Sequence, residues 1–336
     1  MIAQIGPSCP DAVDNLLGSG MALPATFDSS SLRAKCLHAN SFQLDGRRGT
    51  VSVEPLLVRI GHSPDPDDAF MFFGLTSGAI ETPGRVYEHS LVDIDTLNRE
   101  ALKSTYEVSA VSIRSFPDIS EEYALMNCGA SMGEGYGPMV ISNKPMTEQE
   151  AREKTIAIPG FSTSAFLTLR LALGEVSVVE VPFDEILPGV IFGKYDVGVI
   201  IHEGQLTWKD DGVHLVLDLG VWWNQTTGLP LPLGGNVVRK DLGEIVCREI
   251  TRDVRASIRH ALDNPENALE FARQWGRGID ESTNEEFVSM YVNERTVDYG
   301  HEGREAIKLF LKRGQEIGLV REDIDVRDIQ FVGHDD

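Results

Sequence analysis

The chain of 336 residues exceeds one typical domain, and with 42% hydrophobic and 24% charged residues it has the make-up of a folded globular protein, which excludes disordered, collagen-like and disulfide-scaffold classes. Its formal net charge of −22 is spread along the sequence, a field that disfavours DNA or RNA as a partner. Cys9, Cys36, Cys128 and Cys247 show no CxxC or paired zinc spacing, no run approaches the ~20 apolar residues of a membrane helix, and no basic segment precedes an apolar one. A cytoplasmic protein with no metal and no membrane partner is expected.

Residues 1–52 are rich in Gly, Ser, Pro and Asn without a period of 2 or 3.6, and are expected to form a disordered extension. From Val53 strand and helix alternate. LLVRIGH, RVYEHSLVDI and EVSAVSI are expected strands, with DDAFMFFGLTSG and DTLNREALKS as the helices between them. The glycine-rich CGASMGEGYGP connects to a strand MVISN and a short acidic helix at TEQEAREK, glycine there fitting either a turn or a close backbone approach. A second unit follows: strand TIAIPG, helix STSAFLTLRLALG, strand SVVEVP, helix FDEILPGVIFGK and strand YDVGVIIH. Beyond LVLDLGVWWNQTTGLPLPLGGNVV, amphipathic helices are expected at 241–274, 281–293 and 303–317. This order places a first lobe at 53–150 plus 235–336 and a second at 151–234. No internal repeat is present.

Several side chains are placed for chemistry. His202 ends an apolar strand, where open α/β sheets bind ligands, and its imidazole takes a proton near neutral pH; a lone histidine also serves as a turn cap or core hydrogen-bond partner. Ser162, Thr163 and Ser164 follow Gly160 at the start of an apolar helix, a pattern that suits an anion as well as simple capping. Ser109 and Ser112 close EVSAVSI, where a hydroxyl faces a cleft or belongs to ordinary loop chemistry. Asp65, Asp67 and Asp68 lack the later Gly and Glu of a calcium loop, which leaves helix capping as their expected role. Trp222 and Trp223 either stack on an aromatic ligand or pack the core. No GxSxG elbow and no GxGxxG follow a strand, which argues against hydrolase and dinucleotide readings.

SPDPDDAFMFFGL, DIDTLNREALK, VSAVS, GASMGEGYGP, IPGFSTSAFL, VIIHEGQLTW, DLGVWWNQTTGLPLPLGG and YVNERTVDYGHEGREAI occur here in one order. Over about 58–332 this chain resembles the 1,4-dihydroxy-6-naphthoate synthases of the futalosine route to menaquinone. The resemblance implies an α/β, two-lobed, type II periplasmic-binding-protein-like fold with a ligand cleft between lobes. It implies a lyase acting on cyclic dehypoxanthinyl futalosine, a small anionic substrate, by base-initiated elimination with carbon–carbon cleavage and without a cofactor.

Carried over residue by residue, the family's base falls on His202, with Glu203 beside it as a rival carboxylate. The substrate-contacting pair falls on Ser164 and Ala165, and the strand-end K-x-S contact on Ala110, Val111 and Ser112. The lysine of that motif is absent, Ala110 standing in its place, and Arg114 is the candidate to replace its charge. The neighbouring chorismate dehydratases share the fold but lack the SPDPDD opening and the WW to GG segment. A non-catalytic substrate-binding protein is the other alternative, and the missing export signal speaks against it.

Overall fold

The computed structural model describes residues 42–44, 47–49, 54–201, 204–274 and 281–333. Most of the 1–52 extension therefore lies outside the described residues. Its exceptions are β1 (Phe42–Leu44) and β2 (Arg47–Gly49), paired antiparallel. The chain divides into two compact units: Met1–Val58 with Glu81–Glu88, and Arg59–Ile80 with His89–Asp336.

In the first unit, β3 (Leu56–His62) begins at Leu56, whose N–H donates to Gly84 O at 2.8 Å. The strand starts after Pro55, a residue with no N–H for a ladder. β3 and β4 (Arg85–Leu91) then run on into the second unit.

The second unit carries both large sheets. The larger adds β5 (Val108–Ser112), β6 (Tyr123–Met126), β7 (Ser131–Gly133), β13 (Leu231–Arg239) and β14 (Phe331–Val332), in the order β14-β6-β13-β5-β3-β4 with β7 on β13. The smaller joins β8 (Met139–Ser142), β9 (Ile156–Ile158), β10 (Val178–Glu180), β11 (Val197–Ile200) and β12 (His214–Asp218) in the order β10-β9-β11-β8-β12. β9, β10 and β11 are parallel, as βαβ units require, while β8 lies antiparallel to both β11 and β12.

Two boundaries drawn from the sequence differ from this sheet membership. Met139–Ser142 already pairs in the smaller sheet, twelve positions before the second lobe was expected to open at 151. Leu231–Arg239 enters the larger sheet against β5, with Gly234 opposite Ser112 and Asn236 opposite Ala110. A short apolar strand has the same pattern whichever sheet it joins, so sequence periodicity does not assign it.

The helix expected over DDAFMFFGLTSG is two pieces, Pro66–Met71 and Phe73–Thr76. The cause is a hydroxyl inserted into the helical ladder. Ser257 Oγ donates to Met71 O at 2.9 Å and accepts from Leu75 N–H at 3.1 Å, standing where a direct Leu75-to-Met71 bond would be. Likewise the stretch expected over 241–274 is Glu244–Asp263 and Pro265–Arg273, divided at Asn264, the residue that Pro265 disfavours in helical geometry.

The segment around the tryptophans resolves into β12, a helix Leu219–Thr227 and β13. Asp218 caps the helix by accepting from Gly220 N–H at 2.9 Å and Val221 N–H at 3.0 Å. Trp223 is fully buried, donates from Nε1 to Pro230 O at 2.9 Å and meets Phe310 edge to face at 5.5 Å, so it belongs to the core. Trp222 is half-buried against the same cluster. A Cβ on Gly220 would lie 2.0 Å from Tyr136 O, and one on Gly137, within CGASMGEGYGP, 3.1 Å from Gly220 Cα, so these two glycines let two backbones of this chain touch.

Candidate active site

A cleft is walled by both sheets of the second unit. From the larger sheet come Ala110 and Ser112 on β5, Gly234 and Gly235 on β13, and Ser131 on β7; from the smaller side come Pro138, Thr163, Ser164, Ala165 and Ile201. Ala110, Ser112, Ser164 and Ala165, singled out from sequence, thus share one cleft. Val111 does not. Successive side chains of a strand point to opposite faces, and Val111 is fully buried in the core with Ile113 and Leu125.

His202 and Glu203 lie outside the described residues. Their described neighbours Ile201 and Gln205 both line the cleft.

The turn after β9 builds the smaller-sheet wall. Gly160 holds φ +153°, a conformation that side chains rarely adopt, and a Cβ there would lie 2.5 Å from Asp95 Oδ1. Thr163 then caps helix Ser164–Leu173 by accepting from Phe166 N–H at 3.2 Å. Among the described residues neither Ser164 N–H nor Ala165 N–H meets an acceptor, so two oriented donors at a helix N-terminus face the cleft.

Arg114 does not supply the charge of the missing lysine. Its guanidinium donates to Asp118 Oδ2 at 2.5 Å and Leu319 O at 2.8 Å and is not on the cleft wall. No Lys or Arg is, among the described residues.

The cleft is also lined by Asp65, Asp67 and Asp68. Capping, their expected role, is not what they do in the simple sense: Asp65 occupies the N-cap position of Pro66–Met71 without a side-chain cap bond. Asp68 reaches back to accept Ser63 N–H at 2.7 Å. Burial, then repulsion from Asp65, pushes the Asp68 carboxyl up to about 7. Among the described residues no three His, Cys, Asp or Glu side chains are grouped to hold a metal.

Behind this loop lies a histidine pair that sequence reading passed over. His62 Nδ1 is 2.9 Å from Ser63 O and its Nε2 is 3.1 Å from His89 Nδ1. A carbonyl only accepts, so His62 carries its proton on Nδ1 and His89 donates to it, which ties both rings to the loop that bears Asp68. The signal in the sequence is slight: His62 ends one expected strand and His89 lies within the next. Burial, with repulsion from His89, lowers His62 to about 3; burial lowers His89 to about 4.

These shifts set the acid stability. Both histidines titrate below their unfolded value in the folded chain, so their stabilisation is complete above about pH 6.5 and is lost as pH falls toward 4, at about 1.4 kcal/mol per pH unit for each. Asp68 is raised, so its contribution runs the other way, complete below about pH 4 and lost as pH rises through 7. Two histidines against one carboxyl leave a net loss on acidification. His62→Asn is expected to reduce the drop in urea midpoint between pH 7 and pH 5, and an unaltered pH slope in that variant would refute the assignment.

Two α/β sheets walling one cleft define the periplasmic-binding-protein-like fold. The alkanesulfonate-binding protein SsuA of Xanthomonas axonopodis matches at TM-score 0.62 over 82% of this chain and 98% of its own, with 10% identity, a likeness of fold alone. A protein of Archaeoglobus fulgidus matches at TM-score 0.75 and 40% identity, covering 79% of this chain and 98% of that one.

The sequence family described as menaquinone biosynthesis matches residues 58–316, and the chain belongs to it. A 1,4-dihydroxy-6-naphthoate synthase of Thermus thermophilus is 36% identical over 262 residues, 78% of this chain and 95% of the relative. Its namesake in Streptomyces coelicolor is 35% identical over 272 residues, 78% and 94% of the two chains. The expected family and fold are thereby borne out. Among the described residues no helix is long and apolar enough to cross a membrane.

Proposed function

We propose that this enzyme of menaquinone biosynthesis is a 1,4-dihydroxy-6-naphthoate synthase: a cytoplasmic carbon–carbon lyase that converts cyclic dehypoxanthinyl futalosine to the naphthoate and a sugar-derived fragment. The observation that carries the reading is identity of 36% across 95% of a relative bearing that name. The cleft adds chemical support. Its Ser164 and Ala165 N–H groups suit the substrate's carboxylate, and its three aspartates suit a hydroxyl-rich sugar remnant.

In this reading His202 removes the proton that starts the elimination, and aromatisation of the product draws carbon–carbon cleavage forward. Its support is that Ile201 and Gln205, on either side in sequence, line the cleft. Ser112, Ser164 and Ala165 contact the substrate beside the space left by Ala110. The lobes are 53–150 plus 235–336 and 151–234, adjusted so that strand 139–142 goes with the second and strand 231–239 with the first, and substrate lies where they meet. Purified protein incubated with cyclic dehypoxanthinyl futalosine is expected to form the naphthoate, followed by absorbance and mass; a lasting absence of product would end this reading.

A further inference from the structure

Asn98 sits on helix Ile94–Ala101 with 2% of its surface exposed, and it was not among the residues singled out from sequence. Its side-chain amide makes contacts on both ends. Oδ1 accepts Ser112 N–H at 2.8 Å, and because a backbone N–H can only donate, this contact fixes which end of the amide is oxygen. Nδ2 then donates to Ser112 Oγ at 3.1 Å and to Ser162 Oγ at 3.1 Å.

The proton on each nearby hydroxyl can be followed. Ser162 Oγ donates to Asp95 Oδ1 at 2.9 Å, so its proton is committed. Ser164 Oγ donates to Leu233 O at 2.6 Å and accepts Arg114 N–H at 3.3 Å, so its proton is committed as well. Ser112 Oγ accepts from Asn98, and among the described residues its own O–H donates to nothing. Ser112 is buried to 3% exposure, yet it lines the cleft.

We propose that Asn98 is a positioning residue: its amide occupies the acceptor side of the Ser112 hydroxyl and leaves the O–H proton for an acceptor oxygen of the bound carboxylate substrate. The inference deepens the proposed function and rests on its substrate class. It divides the two cleft serines: Ser112 donates to ligand, whereas Ser164 is a strut between helix Ser164–Leu173 and β13 that presents backbone N–H instead. Where a lysine charge is lacking at Ala110, an aimed neutral donor next to two free N–H groups meets the carboxylate.

The test uses 2-naphthoate, a stable aromatic carboxylate, titrated calorimetrically into the full chain. Ser112→Ala and Asn98→Ala are each expected to weaken binding about tenfold or more, as for a hydrogen bond to a charged group, and the double variant no further than the stronger single one. A purely structural role for Asn98 would lower the unfolding midpoint without this non-additivity. Asn98→Asp serves if the alanine variant misfolds: it still accepts Ser112 N–H but draws the Ser112 proton to itself, so its effect should shrink in the Ser112→Ala background. Additive losses, an unchanged affinity in Ser112→Ala, or a wild type that ignores 2-naphthoate would each overturn the inference. Binding with the expected pattern but no turnover of cyclic dehypoxanthinyl futalosine would overturn the proposed function alone.

Discussion

Replacing His202 by Asn is expected to lower turnover by roughly 10²–10⁴-fold, the range supplied by a positioned general base, while substrate binding changes little. The acidic limb of the wild-type pH–rate profile should report a group ionising near neutrality, and that limb should flatten in the variant. Glu203, next in sequence, is the rival, because a carboxylate in a desolvated cleft is raised toward neutral pH and can do the same work. The deciding comparison is His202→Asn against Glu203→Gln, both checked for folding by circular dichroism. Full activity in the first with collapse in the second would transfer the role to Glu203.

Trp223→Ala is expected to be the costliest single change in the core, at about 3–5 kcal/mol. The indole is fully buried, packs on Phe310, lies under the Arg313 guanidinium at 5.2 Å and donates to Pro230 O. Removing it empties that volume and leaves a buried carbonyl without its donor. A fall of about 4–7 degrees in the unfolding midpoint follows for a chain of this size. Trp222→Ala, at a half-buried site, should cost far less. Neither tryptophan is on the cleft wall, so neither change should alter the Michaelis constant beyond what lost stability explains. Equal losses in the two variants, or a selective loss of substrate binding in Trp222→Ala, would contradict this assignment and revive an aromatic-stacking role.

Periodicity made seven of the strands legible, β3–β5 and β8–β11, because a period of 2 or an unbroken apolar run such as VGVI is imposed by what each strand buries. It was silent on β6, β7, β12, β13 and β14, whose pairing depends on contacts far apart in the chain. Gly220 against Tyr136 and Ser257 inside the Met71–Leu75 turn are likewise visible only in three dimensions.

Of the residues that resemblance named, Ala110, Ser112, Ser164 and Ala165 line the cleft, while strand alternation turns the Val111 side chain into the core. Asn98 carried a weaker signal: an amide on the same helical face as Ile94 and Ala101, a buried polar group in need of partners. The acidic loop was read as capping because Asp at a helix start does so in most proteins; that the same carboxylates also wall a cleft follows from tertiary placement.

The most direct test of the account offers the same purified protein cyclic dehypoxanthinyl futalosine and chorismate in parallel, with products identified by mass. Formation of 1,4-dihydroxy-6-naphthoate from the first and no dehydration of the second is the predicted result; dehydration of chorismate, or release of both compounds unchanged, would contradict it.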